Sequence, residues 1–204
     1  MTVSLVDYGA GNLRSVANAL EFCGIAWRLV QSPNEVAASD KVLLPGVGSY
    51  RAAMLNLSSR GLSEAIISAA HQGMPILGIC LGMQLLAENG EEGGGGSGLK
   101  IIPGSVRKLN AKPGFRIPHM GFNGVLQEKD HPLFYKIRNG SDFYFAHSYF
   151  FDPVPDNIIG TTTHGEQFAS AVAKGAVWGT QFHPEKSQGN GLQILRNFAR
   201  SPTC

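Results

Sequence analysis

The sequence predicts an α/β fold with a mostly parallel central sheet flanked by helices, joined to a smaller antiparallel or mixed β portion in the second half. Three observations lead there. In the first half, short β-rich runs alternate with helical patterns, as in a parallel sheet covered on both faces. The run "MPILGI" is apolar almost throughout, as expected of a strand buried on both sides. After Leu99 the texture changes, and short strands separated by glycines and prolines replace the alternation.

Taken in order, "TVSLVDY" opens the chain as a strand and "GAGN" turns it. "LRSVANALEF" puts Leu13, Val16, Ala17 and Leu20 at helical spacing and stops at Gly24. "AWRLV" and "KVLLP" read as the second and third strands, the latter running into "GVGS". "GLSEAIISAAHQG" is an amphipathic helix closed by Gly73, followed by "MPILGI" as the fourth strand and "LGMQLLAENG" as the next helix. The glycine-rich "GEEGGGGSG", residues 90–98, is expected to be a flexible loop. "FYFAHSYF", "IIGTTT", "FASAVAK" and "AVWGTQF" supply strands, and "GLQILRNFA" supplies a closing helix. With neither linker nor repeat in view, residues 1–204 are expected to form a single domain.

Composition narrows the function classes. The charged share is 16%, against roughly 25% in an average soluble protein, and the net charge is +2. No basic stripe or lysine run marks a nucleic-acid surface. The longest stretch without Asp, Glu, Lys or Arg, from Ala65 to Ala87, is broken by His71, Gln72, Gly73, Pro75 and Gly78, so no membrane span is expected. "MTVSLVDYGAGN" carries Asp7 and no basic start, and reads as a first strand rather than a signal peptide. Cys23, Cys80 and Cys204 form no CxxC pair and lack metal-ligand spacing, which fits a reducing compartment, the cytoplasm, and no metal. The "GAG" at 9–11 is no dinucleotide fingerprint: the third glycine would fall at Arg14, and no acidic residue closes the second strand near Val30. No cofactor is expected.

In open α/β sheets, function collects at the carboxyl ends of the parallel strands. "DYGAGN", "PGVGSY" and "GICLGMQ" belong there. The last has the form of a nucleophile elbow with cysteine in the reactive place. Its glycines let backbone pass close to the turn, and the start of a helix favours a thiolate at Cys80. The alternative is an inert core thiol, since cysteine is among the most buried residue types. "QFHPEKS" offers the base a thiolate needs. His183 and Glu185 flank Pro184, and extended geometry would project both side chains to one side. Glu185 can then hold one imidazole nitrogen while the other faces a sulfur.

These residues carry a resemblance. "GICLGMQLL", "QFHPEKS" and "PGVGSY" are similar to motifs of the class I, or triad, glutamine amidotransferases, whose fold is flavodoxin-like. More narrowly, "DYGAGNLRSV", "LPGVGSY", "PHMGFN" and "YFAHSYF" resemble the glutaminase subunits of imidazole glycerol phosphate synthases, over nearly the whole chain. The resemblance implies hydrolysis of glutamine to glutamate and ammonia by Cys80, His183 and Glu185. It implies an oxyanion hole from the amides of Leu81 and of Val47 or Gly48, with a peptide flip that Gly46 and Gly48 would make easy. It implies that Gln84 and Glu92 and the amides of Ser148 and Tyr149 hold glutamine's α-amino and α-carboxylate groups, with His147 lining the site. It also implies a partner, a (β/α)8 cyclase subunit that receives the ammonia in histidine biosynthesis. Asn12, Met120, Phe122, Asn123, Tyr144 and Lys186 would face that partner. The family usually has tryptophan where this chain has Phe122, which removes one indole N–H donor. Two alternatives compete: the glutaminase subunit of another class I amidotransferase, and a stand-alone thiol hydrolase acting on an ester or peptide.

Overall fold

The computed structural model describes residues 1–110 and 112–202. Cys204 therefore lies outside the described residues. The chain runs β1 (Val3–Val6), α1 (Leu13–Phe22), β2 (Trp27–Val30), α2 (Pro33–Ala37), β3 (Lys41–Leu44), α3 (Tyr50–Ser59), α4 (Leu62–His71), β4 (Ile76–Ile79) and α5 (Leu81–Leu85). There follow β5 (Asn89–Gly90), β6 (Gly96–Ser97), β7 (Gly104–Lys108), β8 (His119–Gly124), β9 (Leu126–Gln127), β10 (Asp142–His147) and β11 (Tyr149–Pro153). The chain closes with β12 (Ile158–His164), β13 (Glu166–Lys174), β14 (Val177–Thr180) and α6 (Gln188–Arg200).

The main sheet has eight strands in the order β2-β1-β3-β4-β14-β13-β12-β9. β2 through β14 in that order pair in parallel, and β13, β12 and β9 extend the sheet antiparallel. The expected mostly parallel sheet with an antiparallel portion is what forms. β8 and β10 make a separate antiparallel pair, and β11-β7-β5-β6 a small mixed sheet. Period-two alternation divides the core into two layers. Leu43, Leu77 and Ile79 face one side, packed with Val16 and Leu20 of α1 and Ile194, Leu195 and Phe198 of α6. Val42, Leu44 and Ile76 face the other, against Ala53 and Leu57 of α3 and Leu62 and Ile66 of α4.

Four local readings change. The helix expected over "LGMQLLAENG" spans only Leu81–Leu85, because Asn89 and Gly90 leave it to pair with β6 and β7. The glycine-rich segment is accordingly a short hairpin, pinned where Glu91 accepts the Lys108 amide at 2.5 Å and Glu92 accepts the Tyr50 amide at 2.8 Å. "FYFAHSYF" breaks at Ser148 into β10 and β11, which join different sheets. Two further helices, α2 and α3, fill the crossovers around β3. The start of α2 is fixed by a capping box between Ser32 and Glu35, whose carboxylate accepts the Gln31 and Ser32 amides.

Candidate active site

β4 and β14 are parallel neighbours in register, Ile79 opposite Thr180. The residues just past their carboxyl ends, Cys80 on one and Gln181 to His183 on the other, are therefore side by side although about a hundred positions separate them. The Cys80 amide still donates to the Thr180 carbonyl at 2.7 Å, the last rung of that ladder.

Cys80 adopts φ 53°, ψ −109° at the start of α5, a conformation rare for a residue with a side chain. The turn is sharp enough that α5 lies directly on β3. A Cβ on Gly82 would sit 1.9 Å from the Leu44 carbonyl oxygen, so only glycine fits there. This places the Cys80 sulfur, nearly buried, at the helix start and at the floor of a cleft.

His183 stands close enough to Cys80 to feel its charge, and its Nδ1 lies 2.9 Å from Glu185 Oε1 on the other side. Burial works against an imidazolium there. The negative charge of Cys80 and the Glu185 carboxylate outweigh that effect and push the His183 pKa up to about 10. The His183 ring is thus held as the imidazolium. The expected extended geometry holds at His183 itself, but Pro184–Lys186 form one 3-10 turn, and that turn brings Glu185 back under the ring. Ser187 locks it, donating to the His183 carbonyl at 2.6 Å and accepting the Tyr144 amide at 2.9 Å.

The cleft encloses about 230 Å³ and is lined by Val47, Gly48, Cys80, Leu81, Gln84, Glu92, Pro118, Met120, Ala146, His147, Ser148 and Tyr149. All the residues expected to form the oxyanion hole and the glutamine site converge on it. Gly48 has φ +107°, a conformation that suits glycine, at the loop leaving β3. Gln84 donates through Nε2 to the Tyr149 carbonyl at 2.8 Å and to Gln181 Oε1 at 3.0 Å. Glu92 lines the wall with one oxygen committed to the α3 N-terminus. Asn12, Phe122, Asn123, Tyr144 and Lys186 lie off the cleft. Phe122 and Tyr144 meet edge-on across β8 and β10 at 5.6 Å, and Lys186 Nζ stands 5.6 Å from the Tyr144 ring. Met120 and Phe122 project outward, exposed by 65% and 50%. Asn123 does not share their face: it turns inward to His119 and Thr163, while Asn12 caps α1.

Three residues escaped sequence reasoning. Gln181 points Nε2 at the Cys80 sulfur, 3.7 Å away, joining it to Gln84. Tyr8, fully buried, donates to the Pro45 carbonyl at 2.8 Å and so ties "DYGAGN" to "PGVGSY"; burial and the charge on Cys80 push its pKa above the ordinary range. His119 is the third, buried beside His147. Among the described residues no group of three or more His, Cys, Asp or Glu side chains is placed to hold a metal ion, and no helix is long and apolar enough to cross a membrane.

Fold and site define an α/β protein in which a cysteine on a strand-to-helix elbow faces a glutamate-held histidine. Residues 4–201 match the family described as glutamine amidotransferase class-I. Similar solved structures include a glutamine amidotransferase at TM-score 0.75 and 18% identity, covering 96% of each chain. Another, from Thermotoga maritima, matches at TM-score 0.69 and 16% identity over 98% of this chain and 99% of its own. Among sequences, the imidazole glycerol phosphate synthase subunit HisH of Moorella thermoacetica is 46% identical over 96% of this chain and 93% of that protein. The HisH 1 subunit of Campylobacter jejuni (strain 81-176) is 45% identical over 97% and 99%. The chain belongs to the class I glutamine amidotransferases and, within them, to the HisH family.

Proposed function

We propose that this chain is the glutamine-hydrolysing subunit of an imidazole glycerol phosphate synthase, with residues 1–204 acting as one amidotransferase domain in the cytoplasm. The observation that carries the reading is the coupled Cys80–His183–Glu185 set opening on a cleft lined by Gln84, Glu92, Ser148 and Tyr149.

The Cys80 thiolate attacks the side-chain amide carbon of glutamine. The amides of Leu81 and of Val47 or Gly48 receive the oxyanion. The His183 imidazolium passes its proton to the amide nitrogen, which departs as ammonia and leaves a thioester on Cys80. Neutral His183 then takes a proton from water as that water adds to the thioester carbon. Collapse releases glutamate and restores the thiolate beside the imidazolium. Glu185 keeps Nδ1 protonated and Nε2 aimed at the sulfur throughout.

Gln84, Glu92 and the Ser148 and Tyr149 amides hold the amino-acid end of the substrate. The ammonia passes to a (β/α)8 cyclase subunit, which turns a ribonucleotide precursor into imidazole glycerol phosphate and AICAR. The cyclase docks on the outward face bearing Met120, Phe122, Tyr144 and Lys186, with Asn12 at its margin. Glutamate release by the purified chain, measured with and without the cyclase and its ligand, tests the reading. Low activity alone, a large rise in the complex and none with Cys80→Ala are expected. Full activity on simple esters and none on glutamine would refute it.

A further inference from the structure

β8 and β10 pair so that His119 stands directly opposite His147. Both imidazoles are buried, and their nitrogens form a directed chain. His147 Nδ1 lies 2.9 Å from the Tyr149 carbonyl, which only accepts, so this nitrogen carries a proton and Nε2 does not. His119 Nδ1 lies 3.0 Å from that bare Nε2 and must donate to it, leaving His119 Nε2 as the acceptor. Asn123 Nδ2 lies 3.2 Å from His119 Nε2. The amide orientation of Asn123 is set independently, since Nδ2 also donates to the Thr163 carbonyl at 3.0 Å and Oδ1 accepts the Gly124 amide at 2.8 Å. Reasoning from either end gives the same direction at every link. A second proton on either ring would set N–H against N–H. Burial, the first cause in each case, accordingly holds the pKa of His119 down to about 4 and that of His147 to about 3.

The chain ends where the cleft begins. The Tyr149 carbonyl takes His147 Nδ1–H and Gln84 Nε2–H together, and Gln84 leads through Gln181 to the Cys80 sulfur. We propose that His119 and His147 are positioning residues, a pair of neutral Nδ1–H imidazoles that fix the Tyr149 carbonyl and with it Gln84 and the Ser148–Tyr149 wall that receives the amino-acid end of the substrate. Through Asn123 and the Thr163 carbonyl the pair also ties that wall to β12, while the opposite face of β8 carries Met120 and Phe122. The substrate assignment rests on the function proposed above; the proton arrangement does not.

Two measurements test it. Two-bond ¹⁵N–¹H correlations on the full wild-type chain at neutral pH report tautomers without any activity. Both rings are expected as Nδ1–H, the form that free histidine disfavours; Nε2–H at either ring overturns the proposal even if glutamine is hydrolysed normally. The second compares His119→Leu with His119→Asn in the complex with the cyclase. Asparagine places an N–H where Nδ1 was, whereas leucine keeps apolar bulk and no donor. His119→Leu is expected to raise KM for glutamine about tenfold with kcat within about twofold, and His119→Asn to restore most of the loss. A packing role, against the Phe145 and His164 rings stacked on His119, would reverse that order. Equal effects, or asparagine the worse, overturn the proposal. Absence of glutamine hydrolysis by the wild-type complex would refute the function and leave the tautomer result standing.

Discussion

Glu185→Gln isolates the charge behind His183 at nearly constant volume. The carboxylate and the ring are both almost wholly buried, and Oε1 lies 2.9 Å from Nδ1. A hydrogen bond to a charged group contributes about 1.5–3 kcal/mol, against about 1 for a neutral one. Losing the charge therefore costs the imidazolium about 1–2 kcal/mol, or about one pKa unit. Orientation adds to this in the same direction. Glu185 Oε2 is buried without a partner, so a glutamine offering its oxygen to Nδ1 would leave its NH₂ there unsatisfied. In the proposed mechanism the imidazolium is the acid that expels ammonia, and it is lost as pH rises through about 10. Removing the anion favours the neutral ring, so the alkaline limb of the rate profile should move down by about one pH unit. Glutamate release by the complex, followed across the alkaline range, should show kcat/KM little changed near neutrality and lowered about 5- to 10-fold from about pH 10 upward. A value within twofold of wild type there, with the alkaline limb unmoved, would refute this account of Glu185.

Gly82→Ala should destabilise the fold by about 3 kcal/mol or more in urea unfolding, since its Cβ would overlap the Leu44 carbonyl. Gly189→Ala in α6 meets nothing within 4 Å and should be neutral or up to about 1 kcal/mol stabilising. Lys41, wholly buried, donates to the Ser201 and Phe198 carbonyls and the Ser201 hydroxyl at the end of α6. Lys41→Met should cost about 1–3 kcal/mol by orphaning those acceptors, with kcat unchanged because β3 carries Lys41 at the end of the sheet away from Cys80. Phe122→Ala should weaken cyclase binding about tenfold or more, read by titration calorimetry, and leave the cleft lining intact.

Much of this was legible in the sequence because the signals were local. The apolar runs of β1, β3 and β4 and the glycines around Cys80 each need only a few neighbouring residues to be read. What stayed hidden depends on strand register. Gln181 is one polar residue at a strand end, and nothing nearby in the chain says that β14 lies beside β4. His119 and His147 look like unrelated histidines until pairing sets them opposite each other. Asn123 follows Phe122 in sequence, yet β alternation turns it inward. The capping box at Ser32–Glu35 went unread, and α3, with Tyr50, Ala53 and Leu57 buried, offered only a weak apolar stripe. His183 and Glu185 were paired correctly through the wrong backbone geometry, because a proline that can begin a 3-10 turn also fits an extended run.

β14 follows every other strand of the main sheet in chain order, yet it inserts between β4 and β13 at the middle of that sheet. Until it arrives, β13, β12 and β9 have no pairing with the earlier strands of that sheet, and Cys80 has no imidazole beside it. A fragment ending before Val177 would lack Gln181, His183 and Glu185, and so every side chain that β14 and the turn after it bring to Cys80. The neighbourhood of Cys80 is thus assembled only when β14 joins the sheet, and labelling of Cys80 during translation would report that moment.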